Sequence, residues 1–329
     1  MQKLILISIL ALLMATGISF GAENEAEPIR PVHTYSIVCF DTLTGQFGAA
    51  VQSHYFKVAD VIWLEPGVGA VATQSLVDFA YGPLGLEMMK KGKTAKQALD
   101  GLLASDPNNN VRQVAMIDRN GVIATHTGNL CIAEAGHYIG PNYSVQANLM
   151  RNNTVWRAMS EAFEATEGDL AEKMMAALES AQAEGGDIRG SQSAAMVVVT
   201  GQPTGKSWVD RQIDIRVDDS PEPLKELRRL LDITRAYKHL DLGDEYITAG
   251  DFDKANIEYA MAAELSPDNL EIKYWHAVTL ATINRLDEAL PIFKEIFAKD
   301  NSWRELIPRL VKSEILPDDK EIIEKIMSL

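Results

Sequence analysis

The chain has 329 residues, a hydrophobic content of 47% and a formal net charge of −15. That length suits two domains, and the composition is that of an ordinary globular protein. The acidity argues against nucleic acid, which selects a basic surface, and against docking on anionic lipid.

Residues 1–22 read as a signal peptide. Lys3 supplies the positive start, Leu4 to Ile18 the apolar run, and Gly21 and Ala22 the small residues for cleavage. The run is shorter than the ~20 residues that a spanning helix needs. The protein is therefore expected to be exported, periplasmic or secreted, with no stable membrane insertion after signal cleavage. Residues 23–33, acidic and then flanked by Pro28 and Pro31, read as a flexible lead-in.

Thr34 to Phe40 alternates and is β-rich, which predicts a strand. Asp41-Thr42-Leu43-Thr44-Gly45 is turn chemistry, and Gln46 to Gln52 is the return strand. Val61–Leu64 and Val68–Gln74 predict two more strands joined by Glu65-Pro66-Gly67. The period then becomes helical after Gly82-Pro83, and Thr94 caps a second helix reaching Leu103. Val111–Ile117 and Val122–Thr127 predict a hairpin around Asp118-Arg119-Asn120-Gly121. A Gly- and Asn-rich stretch runs from Gly128 to Asn148. Helices are expected at Asn153–Ala165 and Asp169–Ala183, then strands at Ser193–Thr200 and Gln212–Val217. Blocks of hairpins separated by helix pairs do not suit a doubly wound parallel sheet. They suit two stacked antiparallel sheets with helices outside: an α+β, four-layer αββα sandwich over residues 34–218.

Pro221 and Pro223 mark a boundary, and residues 219–235 read as a linking helix, amphipathic from Leu224 to Tyr237. Residues 236–303 then carry two units at 34-residue spacing, with Gly243, Ala255, Tyr259 and Ala262 answered by Ala277, Ala289, Phe293 and Ile296. Small residues where helices cross and large ones in the gaps predict an all-α, tetratricopeptide-like domain. Residues 304–329 read as a helical tail.

The chemistry turns on Thr34, at the mouth of the first strand. N-terminal-nucleophile hydrolases keep a Thr, Ser or Cys there. Such a nucleophile needs a free α-amino group, whose pKa of about 7.7–8.0 lets it act as base for its own hydroxyl. A cut between His33 and Thr34 is therefore required, beyond any signal cleavage. Gln74 ends an apolar strand and is a candidate oxyanion donor. Ser53 and His54 adjoin, but neighbours on a strand point to opposite faces, so they are separate candidates for substrate binding. His126 and His137 flank the Gly-rich loop, and Asn148 follows a strand and is a candidate amide binder. Asp187, Arg189, Gln192 and Ser193, before and at the start of a late strand, complete the substrate-binding candidates. The chain has no phosphate-cradling Gly-Lys-Ser/Thr loop, no nucleophile elbow and no zinc-type Cys/His spacing. No metal or organic cofactor is expected. Export would permit a disulfide between the only two cysteines, Cys39 and Cys131, but spacing alone leaves pairing and free thiols both open.

Residues 34–218 resemble the domain-of-unknown-function 1028 family, an N-terminal-nucleophile-hydrolase-like group. The resemblance is carried by Thr34-Tyr35-Ser36-Ile37-Val38, Ala50-Val51-Gln52-Ser53-His54, Gly67 to Gln74, Tyr81-Gly82-Pro83, Ala135-Gly136-His137, and Gly185-Gly186-Asp187 with Arg189-Gly190 and Gln192-Ser193-Ala194. It implies the sandwich already read from the element order. One departure concerns Gln52, which stands where proteasome-like relatives carry an Asp. Trp303 to Leu306 and Leu316 to Asp319 resemble the peptidoglycan-binding-like tail joined to this family. The expectation is an exported hydrolase of amide or peptide bonds acting on a small molecule or peptide. The alternative is a non-catalytic cell-envelope ligand-binding or scaffold protein. In either case the C-terminal helices would meet a protein partner or peptidoglycan, and homo-oligomers are compatible with both.

Overall fold

A computed structural model describes residues 30–329. The expected signal peptide, and the lead-in up to residue 29, lie outside the described residues. The end of that lead-in is ordered: β1 (Arg30–Val32) is a strand, and Val32 and His33 are buried.

The strands form two antiparallel sheets. One holds β4 (Ile62–Glu65), β5 (Gly69–Val77), β6 (Arg112–Asp118) and β7 (Ile123–Thr127), in the order β1-β5-β6-β7 with β4 also paired to β5. The other has the order β11-β10-β3-β2-β9-β8. Its strands are β2 (Thr34–Phe40), β3 (Phe47–Ser53), β8 (Gly136–Gly140), β9 (Tyr143–Ala147), β10 (Ser193–Val199) and β11 (Arg211–Val217). β8 and β9 lie inside the Gly- and Asn-rich stretch, where the sequence places only a strand of unstated bounds ahead of Asn148. The hairpin and its bounds were hidden because turns interrupt it and its edge strand exposes Tyr138 and Ile139.

Side-chain alternation sorts the core. Val38, Ala49, Val51, Ala195 and Val197 of one sheet meet Ala70, Ala72, Ala115 and Ile117 of the other. The opposite face of the larger sheet, with Tyr35, Ile37 and Val145, packs under α3 (Val155–Ala165) and α4 (Leu170–Ala183). The opposite face of the smaller sheet, with Val71, Val114 and Met116, packs under α1 (Tyr81–Lys90) and α2 (Ala95–Ser105). α2 starts with a complete capping box, Thr94 to the Gln97 N–H and Gln97 back to the Thr94 N–H. Cys39 and Cys131 are both free thiols, hydrogen-bonded to the carbonyls of Gly48 and Arg112 respectively.

The C-terminal region is helical. The expected boundary between a linking helix and a first repeat does not exist: α5 runs unbroken from Pro223 to Thr248. Nothing in Thr234-Arg235-Ala236-Tyr237 interrupts helical hydrogen bonding, so the two predicted segments fuse. The near half of α5 buries Leu224, Leu227 and Leu231 in the core beneath α4, and its far half buries Ala236 and Leu240 against α6 (Phe252–Leu265). α7 (Leu270–Thr282), α8 (Leu286–Lys299), α9 (Ile307–Lys312) and α10 (Lys320–Met327) follow, sharing a core around Tyr274, Phe293 and Ile307. Among the described residues, no helix is long and apolar enough to cross a membrane.

Candidate functional site

Register places the polar groups. Thr34 lies opposite Ser53, and Ser36 opposite Gln146 on the other neighbouring strand. Thr34, Ser36 and Val38 share the face turned toward the other sheet. On β2 the apolar filling of that space therefore stops at Val38, and polar side chains take its place near the start of the strand. Gln74 of β5 and Gln113 of β6 enter from the facing sheet, in the register of Ala70, Ala72, Ala115 and Ile117.

These groups satisfy one another. Ser36 Oγ donates to Gln74 Oε1 at 2.6 Å, and Gln146 Nε2 donates to Ser36 Oγ at 2.6 Å. Gln74 Nε2 donates to Gln113 Oε1 at 2.7 Å and to the Thr34 carbonyl at 3.1 Å. Gln113 Nε2 donates to the Ala147 carbonyl, the Gly136 carbonyl and Thr127 Oγ1. Asn148 Nδ2 donates to Gln113 Oε1 at 2.8 Å, and Asn148 Oδ1 faces His33 Nδ1 at 2.8 Å. A buried network of this kind is stable because nearly every donor and acceptor is paired.

The peptide bond ahead of Thr34 sits at the edge of this network. His33 is 3% exposed and Thr34 is fully buried. The His33 carbonyl accepts from Ser53 Oγ at 2.5 Å and from Arg189 Nη2 at 2.9 Å. Thr34 Oγ1 donates to the Val32 carbonyl at 3.0 Å. The loop before β10 fixes Arg189. Gly185 and Gly186 take positive φ, 104° and 54°, so that the chain can turn and bring Asp187 inward. Asp187, 2% exposed, then accepts from the N–H and Nε of Arg189 through Oδ1 and from Nη2 through Oδ2 at 2.6 Å. The Arg189 guanidinium thus bridges a buried carboxylate and the His33 carbonyl. Burial holds the His33 imidazole below its ordinary pKa of 6.5, partly offset by Asn148 and reinforced by the Arg189 charge.

The structure therefore gathers Thr34, Ser53, Gln74, Asn148, Asp187 and Arg189 around one peptide unit. Gln74 reaches Thr34 through Thr34's own carbonyl, not through the carbonyl of His33. His137 joins at one remove, its Nδ1 2.8 Å from Thr127 Oγ1, and burial followed by the His126 charge lowers its pKa. His126 turns away to the Asn109 carbonyl. His54 is exposed and touches the site only through its backbone N–H, 3.4 Å from Asp187 Oδ2. Gln192 points outward to Asp219, while Ser193 braces the backbone at Tyr55 and Val58. Gln52 faces the helical layer with Tyr35, its register partner, and among the described residues neither of its amide atoms has a hydrogen-bond partner. It lies on the opposite face from Thr34, so the departure at that position falls outside this cluster.

Four residues of the cluster were not among the sequence candidates: His33, Ser36, Gln113 and Gln146. Ser36 was legible as the next same-face residue after Thr34. Gln113 and Gln146 needed the register. A groove of about 680 Å³ between Trp208–Gln212 and the Ile233–Glu245 face of α5 shares no residue with the cluster. Among the described residues, no group of three His, Cys, Asp or Glu side chains is placed to hold a metal ion.

A family profile described as a family of unknown function, DUF1028, matches residues 34–227, with the match starting at Thr34. The crystal structure of a Silicibacter pomeroyi protein assigned to the same family is similar at 27% identity and a TM-score of 0.55. The match covers 60% of this chain and 84% of that one. No curated protein matches the chain significantly.

Proposed function

Because the chain belongs to the DUF1028 family, whose function is unknown, we propose from its own geometry that it is an amide or peptide-bond hydrolase using Thr34 as an N-terminal nucleophile. The observation that carries this reading is the buried His33 carbonyl, held by Ser53 Oγ and Arg189 Nη2 directly ahead of the Thr34 hydroxyl. Two fixed donors on one carbonyl suit a peptide bond whose oxygen takes up negative charge. In the first turnover, Thr34 Oγ1 adds to the His33 carbonyl carbon, the His33–Thr34 C–N bond breaks, and the departing nitrogen takes the hydroxyl proton. Water then hydrolyses the resulting ester, leaving a His33 carboxylate and a free Thr34 amine. That amine serves as base for Oγ1 in later turnovers on other amides. In this reading the oxyanion role falls to Ser53 and Arg189, while Gln74 and Asn148 hold the Thr34 backbone in place.

The two stacked sheets with helices on both outer faces support an N-terminal-nucleophile sandwich. Two tetratricopeptide-type repeats are supported by Tyr259 packing on Gly243 and by burial of Ala277, Ala289, Phe293 and Ile296 at the corresponding positions. We assign the region to a protein or peptidoglycan partner outside the cytoplasm, in line with the leader sequence.

The test is the chain end. Intact mass and N-terminal sequencing of purified protein are expected to find Thr34 first, and Thr34→Ala to leave the bond joined. Active material with every molecule still continuous through His33 overturns the assignment. It would favour a second reading, a non-catalytic cell-envelope binding or scaffold protein, which complete burial of Thr34 in the uncut chain supports.

A further inference from the structure

The two residues ahead of Thr34 do not pass over a surface; they are seated. Val32 is fully buried, in the inter-sheet core with Val58, Val61 and Val77. β1, which ends at Val32, flanks β5 as an added strand. His33 has its carbonyl in the Ser53–Arg189 clamp and its ring against Asn148.

The polarity of the His33 subsite follows from the network. Gln113 Nε2 faces two backbone carbonyls, of Ala147 and Gly136, which can only accept. That fixes Gln113 Oε1 as the atom meeting Gln74 and Asn148. Asn148 must then present Nδ2 to Gln113 and Oδ1 to His33. The group facing Asn148 therefore has to be a donor. His33 meets the requirement as the Nδ1–H tautomer.

Building on the hydrolase reading, we propose that Val32 and His33 mark the acyl-side subsites of the mature enzyme. The substrate class is an extended peptide that adds as a strand beside β5. It places an aliphatic side chain where Val32 lies. In the last position before the cleaved amide it places a planar hydrogen-bond donor, His, Asn or Gln. Once the bond ahead of Thr34 is cut and the leader departs, the clamp that held the His33 carbonyl holds the substrate carbonyl in the same place. Main-chain pairing gives affinity, and the Asn148 acceptor gives selectivity, because a buried acceptor left without a donor is costly. The released leader is a product of the same form, so it is also an inhibitor.

The experiment uses the full chain as purified, with its first residue established by sequencing. Acetyl-Pro-Val-Xaa p-nitroanilides with Xaa of His, Asn or Leu are compared, and the peptide acid Arg-Pro-Val-His is added as competitor. The expected result is turnover of the His and Asn substrates at least tenfold above Leu in kcat/KM, with competitive inhibition by Arg-Pro-Val-His. Protein starting at Thr34 that hydrolyses the Leu substrate equally well, or is indifferent to the peptide, overturns the subsite assignment and leaves the hydrolase reading standing. Protein starting at Thr34 that binds Arg-Pro-Val-His in calorimetry but turns over no anilide keeps the subsites and removes the hydrolase. A chain never cut at His33 removes both.

Discussion

Arg189 holds a buried carboxylate on one side and a backbone carbonyl on the other. Asp187 is almost fully enclosed, so removing its guanidinium leaves a buried charge without its counter-ion. Arg189→Met is expected to destabilise the protein by about 3–5 kcal/mol, read as a lower urea midpoint. The double variant Asp187→Asn/Arg189→Met is expected to recover part of that loss. Protonation gives a second test at this scale. His33, His137 and His276 all have pKa values lowered from 6.5 by burial. Each is favoured neutral when folded. Their contribution is complete above pH 6.5 and is lost as pH falls from there through the lower folded values, because the unfolded chain then binds more protons. In the uncut Thr34→Ala chain, which keeps His33, urea midpoints are expected to drop between pH 7.5 and pH 5, with a shallower drop when His33→Asn is added. Much of this cluster was visible in the sequence, since Thr34, Ser53, Gln74, Asn148, Asp187 and Arg189 stood out as polar residues beside strands. His33 was not, because its carbonyl partners lie 20 and 156 positions away and only the folded register brings them to it.

Elements were legible where period and punctuation agreed. Thr34–Phe40 is the strand that the alternation predicts, and Thr94 is the cap. They were illegible where tertiary partners decide: β8 and β9 become strands because Tyr143–Ala147 is buried beside β2. The α5–α6 pair gives a test of close packing. A Cβ on Gly243 would lie 2.7 Å from the Tyr259 ring, whose hydroxyl is tied to Asp244 at 2.5 Å. The ring therefore cannot swing aside without giving up a hydrogen bond. Gly243→Val is expected to cost about 1–3 kcal/mol by overpacking, with increased amide exchange confined to α5 and α6. Gly243→Val with unchanged stability and exchange would contradict this packing.

At the scale of the whole molecule, α5 ties the sandwich to the helical array. Its Leu227 and Leu231 are fully buried in the core with α4, and its Arg228 and Arg235 both grip Glu172 of α4. Arg228 also reaches Glu179, and Arg235 reaches Asp169. Apolar burial dominates this seam, because partly exposed ion pairs contribute about 0–1 kcal/mol each. Leu227→Ala is expected to cost about 2–5 kcal/mol and to split thermal unfolding into two steps, as the array loses its seat. A single transition at an unchanged midpoint would show the seam to be unimportant. The DUF1028 match ends at Leu227, within α5, although the helix continues to Thr248. The join is therefore a shaft, not a tether, and it has a phase. One residue inserted near Thr234 would turn everything beyond it by about 100° and advance it by about 1.5 Å. Four inserted residues would bring the array to within about 40° of its original azimuth, about 6 Å further out.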